Sequence, residues 1–191
     1  MPNWVFDWTG AVLVVVSLVY LIRKHLWYWH FSNASLLPYF VLFVVTRQYM
    51  LAGLQVSYLI FGVHGLYLWH LEQRRDQHGE RFNERFWYNL GWVLTLLIFA
   101  YTISVTSFGG IWEWLQFAIV SASLIANWAT TRKWLWSWYL WISVNLLQIV
   151  YFAQFELWAL FGLQFILIAL SLKGAIEWAR DRQRQGLPVH V

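Results

Sequence analysis

No cysteine occurs in the sequence, so neither disulfides nor thiolate chemistry is available to it. Charge is scarce as well: 12% of the residues are Asp, Glu, Lys or Arg, where a soluble domain carries about 25%. Such a chain has too few polar residues to cover a core with a wettable surface. Walker loops, HExxH pairs and nucleophile elbows are all missing, and so is a paired intramembrane Asp/Glu relay. His64 and His70 do not share a helical face, so no bis-imidazole metal or haem site is expected. Together these gaps exclude a disulfide scaffold, a disordered protein and an ordinary cytosolic enzyme. They point to no catalysis, no cofactor and no metal.

What remains is apolar: 60% of the 191 residues are hydrophobic and 21% aromatic. Seven stretches are long enough to cross a bilayer as helices, because backbone groups in lipid must pair internally. They are Trp4–Ile22, Leu26–Val45, Tyr49–Leu71, Phe86–Thr106, Ile111–Thr131, Trp134–Ala153 and Leu157–Ala179. Connections are short, and residues 1–191 read as one all-α integral membrane domain with no appended soluble part. The first run has neither a basic region before it nor a small-residue cleavage site after it, so it reads as a retained helix.

The pI near 9.5 could suggest nucleic acid, but the basic residues sit in short clusters between apolar runs and read as topology signals. Eleven of them fall on one side: Arg23 and Lys24, Arg74, Arg75, Arg81 and Arg85, Arg132 and Lys133, and Arg180, Arg182 and Arg184. Only Arg47 falls on the other, while Lys173 lies within a span. The positive-inside rule places the N-terminus outside and the C-terminus in the cytoplasm, which requires an odd number of spans.

An internal repeat runs through the chain at one constant offset, the spacing that separates Arg23 from Arg132. Arg23-Lys24 returns as Arg132-Lys133, Trp27 as Trp136, Trp29 as Trp138, Leu54-Gln55 as Leu163-Gln164, Gly65 as Gly174 and Trp69 as Trp178. Biased composition aligns tryptophans by chance, but not also a basic pair, a glutamine and a glycine without a gap. Residues 4–71 and 111–179 are thus expected to form two three-helix repeats, with 86–106 as a linker helix between them. The linker restores parity, so the repeats run parallel in a 3+1+3 arrangement. Paired repeats around a central site are a transporter device.

In the sixth span Trp134, Trp138, Trp141, Asn145, Gln148 and Phe152 fall on one stripe. Two indoles one turn apart, followed by an amide, suit a flat aromatic ligand: the rings stack and the amide reads a carbonyl or carboxamide. If the ligand ring is cationic, tryptophan holds it without a buried counter-ion. A headgroup belt accounts for Trp27, Trp29, Trp112, Trp114, Trp134 and Trp136, all near span ends, but not for Asn145. In the third span Gln55 and Tyr58 share a stripe with Gly62, Gly65 and Trp69, and the seventh repeats it with Gln164, Ser171, Gly174 and Trp178. The small residues read as helix packing; Gln55 and Tyr58 meet either a substrate or a neighbouring helix. Gln116, Ser123 and Asn127 share a face in the fifth span, where Asn127 either lines the same cavity or bridges two helices. Glu113, Glu156, Lys173 and Glu177 lie near span ends and read as groups that reach water. Pro38 falls inside the second span, opposite Leu147 in the repeat.

The run Asn127-Trp128-Ala129-Thr130-Thr131-Arg132-Lys133, followed by Trp138-x-x-Trp141-x-x-x-Asn145, resembles the PnuC nicotinamide riboside transporter family. Leu54-Gln55-Val56-Ser57-Tyr58, with Gly65 and Trp69 after it, adds to the likeness, which reaches from the first helix to Trp178. The resemblance implies a SWEET-like fold, a bacterial inner-membrane location, often a homotrimer, and passive uptake of a vitamin trapped by a cytoplasmic kinase. Nicotinamide riboside leads as substrate; thiamine and riboflavin are the alternatives within the family. Carried onto this chain, the binding residues are Trp138, Trp141, Asn145 and Gln55, with Tyr58 and Asn127 beside them and Gln148 on the same stripe. Ser32 stands where the second repeat has Trp141, so the pocket is expected to be asymmetric. A sugar carrier on the same scaffold and a non-transporting membrane subunit that binds a partner protein are the other readings.

Overall fold

The structure, a computed structural model, describes residues 3–78, eight positions between 92 and 104, and residues 109–184. Six helices run through the two long segments: α1 (Asn3–Ile22), α2 (Trp27–Val45), α3 (Tyr49–His78), α4 (Ile111–Thr131), α5 (Ser137–Gln154) and α6 (Trp158–Arg184). Of the expected linker span, Phe86–Thr106, most residues lie outside the described ones. The eight positions that are described there are helical, and Trp92 packs its ring against Phe61 and Trp128.

Four corners turn the chain between helices, and all four use one hydrogen-bond pattern. After α1, the N–H of Lys24 bonds to the carbonyl of Leu21 and that of His25 to Tyr20. After α2, Arg47 bonds to Val44 and Gln48 to Phe43. After α4, Lys133 bonds to Thr130 and Trp134 to Ala129; after α5, Glu156 bonds to Ala153 and Leu157 to Phe152. These are Schellman caps, which satisfy the last carbonyls of a helix by placing one residue in left-handed conformation. Glycine normally takes that position. Here it falls to Lys24, Arg47, Lys133 and Glu156, with φ of 52°, 61°, 55° and 54°. The first and third corners are related by the offset of the sequence repeat, and so are the second and fourth.

The helices close into a ring: α1 packs on α2, α2 on α3, α3 on α4, α4 on α5, α5 on α6, and α6 back on α1. The ring is apolar outside and polar inside. Leu37, Val63, Leu146 and Ile166 are exposed, while Gln55, Gln116, Ser123, Asn127, Asn145, Gln164 and Ser171 are buried. A water-soluble bundle would show the reverse, so the outer face belongs in lipid.

Among the described residues, three helices are long and apolar enough to cross a membrane by length and composition: Val5–Ile22, Tyr49–Gln73 and Trp158–Arg184. The expectation of seven such spans is therefore met in full strength by only these three. Helices α2, α4 and α5 coincide with three more and have 19, 21 and 18 residues. They dilute their aliphatic content with tryptophan, tyrosine, amides and hydroxyls that the ring turns inward. Two helix ends differ by five residues or more, the other limits by three or fewer. Helix α3 runs past Leu71 to His78 and α6 past Ala179 to Arg184, because polar residues extend a helix in water once lipid no longer selects against them.

Candidate functional site

Two tryptophans are seated on two glycines. A β-carbon added at Gly65 would come within 2.3 Å of the Trp29 ring, and one at Gly174 within 2.5 Å of the Trp138 ring. Each indole therefore lies directly on the backbone of a neighbouring helix, Trp29 on α3 and Trp138 on α6. A second tryptophan meets each one edge-on: Trp69 stands 5.4 Å from Trp29 at 82°, and Trp178 stands 5.2 Å from Trp138 at 84°. Rings fixed on both sides have little freedom left to lose when a ligand arrives.

These two indoles face an internal cavity of about 150 Å³. All seven residues singled out from the sequence line it: Gln55 and Tyr58 from α3, Asn127 from α4, and Trp138, Trp141, Asn145 and Gln148 from α5. None of the described lining residues is charged. Trp141 is held by a hydrogen bond from its Nε1 to Thr130 Oγ1 at 3.0 Å, with the Tyr58 ring edge-on at 6.2 Å. Gln55 donates its amide to the carbonyl of Leu51 at 3.3 Å, and Gln164 donates to that of Leu160 at 3.0 Å. A carbonyl partner fixes which end of each amide is nitrogen, so both glutamines present oxygen as the remaining acceptor.

The walls differ in chemistry. At matching positions along the two segments, α4 and α5 contribute Asn127, Trp141, Asn145 and Gln148, where α1 and α2 contribute Leu18, Ser32, Leu36 and Tyr39. Three lining amides thus sit on α4 and α5 where the matching positions of α1 and α2 carry aliphatic side chains and hydroxyls, while Gln55 and Gln164 line the cavity from α3 and α6. Several buried polar atoms of the lining have no hydrogen-bond partner among the described residues: Trp29 Nε1, Trp138 Nε1, Gln164 Oε1 and Ser171 Oγ. Unmet donors and acceptors in a low-dielectric site are costly unless something else fills them.

At the end of the ring that carries Lys24 and Lys133, two clamps join the segments crosswise. Lys24 pairs with Asp181 at 2.9 Å and lies 5.4 Å from the centre of the Trp178 ring. Lys133 pairs with Glu72 and lies 4.7 Å from that of Trp69. The indole of Trp178 donates to the carbonyl of Ile22 at 3.1 Å, and that of Trp69 to Thr131 at 3.3 Å. Every member of one clamp has its counterpart in the other at the repeat offset. At the opposite end, Gln116 and Tyr151 both donate to the side-chain oxygen of Gln48, the first at 3.0 Å.

Some assignments made from the sequence change. Trp29, expected in a headgroup belt, is buried at 1% exposure and lines the cavity, as its counterpart Trp138 does. Trp134 does not join the α5 stripe: α5 begins at Ser137, and Trp134 packs instead against Trp128 and Trp136 at 4.7 and 5.5 Å. Ser171, read first as helix packing, and Gln164 on the same stripe also face the cavity. The repeat itself carried the missing signal, since Gln164 is the counterpart of Gln55. Glu156 sits exposed in the corner after α5, and Lys173 pairs with Glu177 at 3.8 Å on the surface of α6.

None of the curated proteins compared with this chain matches it. Among solved structures, one titled "Crystal structure of the Vitamin B3 transporter PnuC" superposes with a TM-score of 0.70 at 19% identity, covering 96% of this chain and 83% of that one. At that identity the likeness is one of fold. A family model described as "Nicotinamide mononucleotide transporter" matches residues 4–180. With nearly the whole chain matched, a multi-pass helical fold and an apolar outer face, the protein is a membrane transporter rather than an enzyme, and it belongs to the nicotinamide mononucleotide transporter family.

Proposed function

We propose that this protein is a facilitator for a small aromatic vitamin without its phosphate, nicotinamide riboside first, held in the central cavity by Trp138, Trp141, Asn145, Gln148, Asn127, Gln55 and Tyr58. The observation that carries the reading is the lining of the cavity: indoles held in place by edge-on partners, five amide side chains, and no charged side chain among the described residues. A flat ring can stack on an indole of the lining, and tryptophan faces favour a ring that bears positive charge. A carboxamide has donors for the oxygens of Gln55 or Gln164, and ribose hydroxyls match the serines of the opposite wall. A phosphate would bring two negative charges into a space where the described lining offers no lysine, arginine or histidine to meet them. The vitamin B3 named for the structurally similar transporter agrees with this choice.

The proposal includes a SWEET-like 3+1+3 architecture: parallel repeats at 4–71 and 111–179, joined by a linker helix at 86–106. The paired corners, the paired clamps and the paired glycine-tryptophan seats support it, each recurring at the offset of the sequence repeat. It also includes a bacterial inner-membrane location with the N-terminus outside and the clamp end in the cytoplasm. Rocking of the repeats would open the cavity to each side in turn, passively, and a cytoplasmic kinase would trap the product. A homotrimer is part of the same expectation.

The test is a thermal-shift panel on the purified protein with nicotinamide riboside, thiamine and riboflavin, each beside its phosphorylated form. Nicotinamide riboside is expected to raise the unfolding temperature most, and the phosphorylated forms to do nothing. Thiamine alone shifting it would move the assignment within the family. A shift with a sugar alone would point to a sugar carrier on this scaffold, and no shift with any solute to a non-transporting subunit.

A further inference from the structure

We propose that Asp7 is a cation station at the mouth of the cavity, where the positively charged ring of an arriving solute rests against the carboxylate before it passes Tyr39. The proposal builds on the reading of the cavity as a vitamin site and names a group outside it. Asp7 lies in the first turns of α1, inside the apolar stretch Val5–Ile22, at the end of the ring opposite the clamps. Among the described residues it is the one buried carboxylate, 7% exposed. The group lies beside the backbone amide of Leu160 in the first turn of α6, yet its Oδ1 has no hydrogen-bond partner. A helix N-terminus favours the negative charge, but half of the carboxylate remains unmet in a place where an unpaired charge is costly.

Tyr39 connects this group to the cavity. Its ring lies on Gly10, one turn along α1 from Asp7, so closely that a β-carbon there would come within 2.7 Å of Cζ. Its hydroxyl is buried and has no hydrogen-bond partner. The same ring lines the cavity. A carboxylate followed by an aromatic face forms two successive supports for an aromatic cation. The other segment has no such pair: the counterparts of Asp7, Gly10 and Tyr39 are Gln116, Ile119 and Gln148, and Gln116 is already bonded to Gln48. The ligand is therefore a monovalent cation of aromatic type, such as an N-substituted pyridinium or thiazolium. Sodium shares the charge but needs several oxygen ligands at once, which a single carboxylate does not supply.

Asp7→Asn tests this well, because asparagine keeps the size of the side chain and can still accept from the amide of Leu160. Uptake into proteoliposomes is measured for nicotinamide riboside and for its reduced form, whose dihydropyridine ring is uncharged. In Asp7→Asn the ratio of the KM for the cation to that for the neutral form is expected to rise about tenfold. Asp7→Ala should raise the ratio equally and lower the unfolding temperature further. A ratio unchanged from the wild type, whether both values move or neither does, overturns the proposal. So does uptake driven by a sodium or proton gradient that Asp7→Asn abolishes, which would assign the carboxylate to a coupling ion. If the wild type carries neither form, the vitamin reading fails instead, and calorimetry decides about Asp7 with 1-methylnicotinamide against neutral nicotinamide. Binding of the cation that Asp7→Asn removes supports the station, and no such binding overturns it.

Discussion

The indole N–H of Trp178 reaches the carbonyl oxygen of Ile22 at 3.1 Å, tying the end of α6 to the last turn of α1. Trp69 makes the same bond to Thr131 between α3 and α4. Each bond meets a carbonyl that the end of a helix would otherwise leave open. Trp178→Phe and Trp69→Phe keep most of the ring and remove the N–H. Each should lower stability by about 1 kcal/mol, read as a lower unfolding temperature in detergent. Equal stability in both variants would show that the bonds are incidental to the clamps.

The seat of Trp138 on Gly174 gives a prediction about shape. In Gly174→Ala the new methyl group falls 2.5 Å from the ring, and the indole must leave the wall of the cavity. Binding of the vitamin should weaken at least tenfold, equivalent to about 1.4 kcal/mol, in a thermal-shift or calorimetric titration. Gly162→Ala on the same helix is the control, since nothing lies within 4 Å of its added carbon. It should bind normally and gain up to about 1 kcal/mol from better helix propensity.

Thr130 holds Trp141 through its hydroxyl at 3.0 Å. Thr130→Val preserves shape and removes the acceptor, so the ring can turn. The expected result is a several-fold higher dissociation constant together with an unfolding temperature of the empty protein lowered by the loss of about 1 kcal/mol, since the Trp141 N–H is left unpaired and Thr130 also gives up its bond to the carbonyl of Ala126.

Glu156 holds a left-handed conformation at φ 54° in an exposed corner. A side chain there costs about 1 kcal/mol that glycine does not. Glu156→Gly is therefore expected to stabilise the protein by up to about 1 kcal/mol while leaving uptake unchanged. A loss of uptake would give Glu156 a part in gating.

How much of this the sequence disclosed can be followed through particular residues. The starts of α3 at Tyr49 and of α4 at Ile111, and the ends of α1 at Ile22 and α4 at Thr131, fall where the apolar runs begin and stop. Lipid forces long helices whose limits are written as a change of polarity, so these boundaries are legible. The cavity residues on α3 and α5 were legible too, because an amide within an apolar span has to face something polar. Trp29 was hidden by its nearness to a helix end, since a tryptophan there suits a membrane interface as well as a core. The pairing of Lys24 with Asp181 and of Lys133 with Glu72 was hidden for another reason. Their acids lie in the polar extensions of α6 and α3, beyond the apolar runs, where periodicity carries no information about partners. Asp7 stood at the start of a span, and only the approach of Gly10 to Tyr39 connects it to the cavity.

The most direct measurement is concentration-dependent uptake of nicotinamide riboside into proteoliposomes by the wild type, Trp141→Ala and Asn145→Ala. Saturable uptake by the wild type, lost in both variants while their unfolding temperatures hold, is the expected result. Undiminished saturable uptake in both would place the binding site elsewhere in the chain.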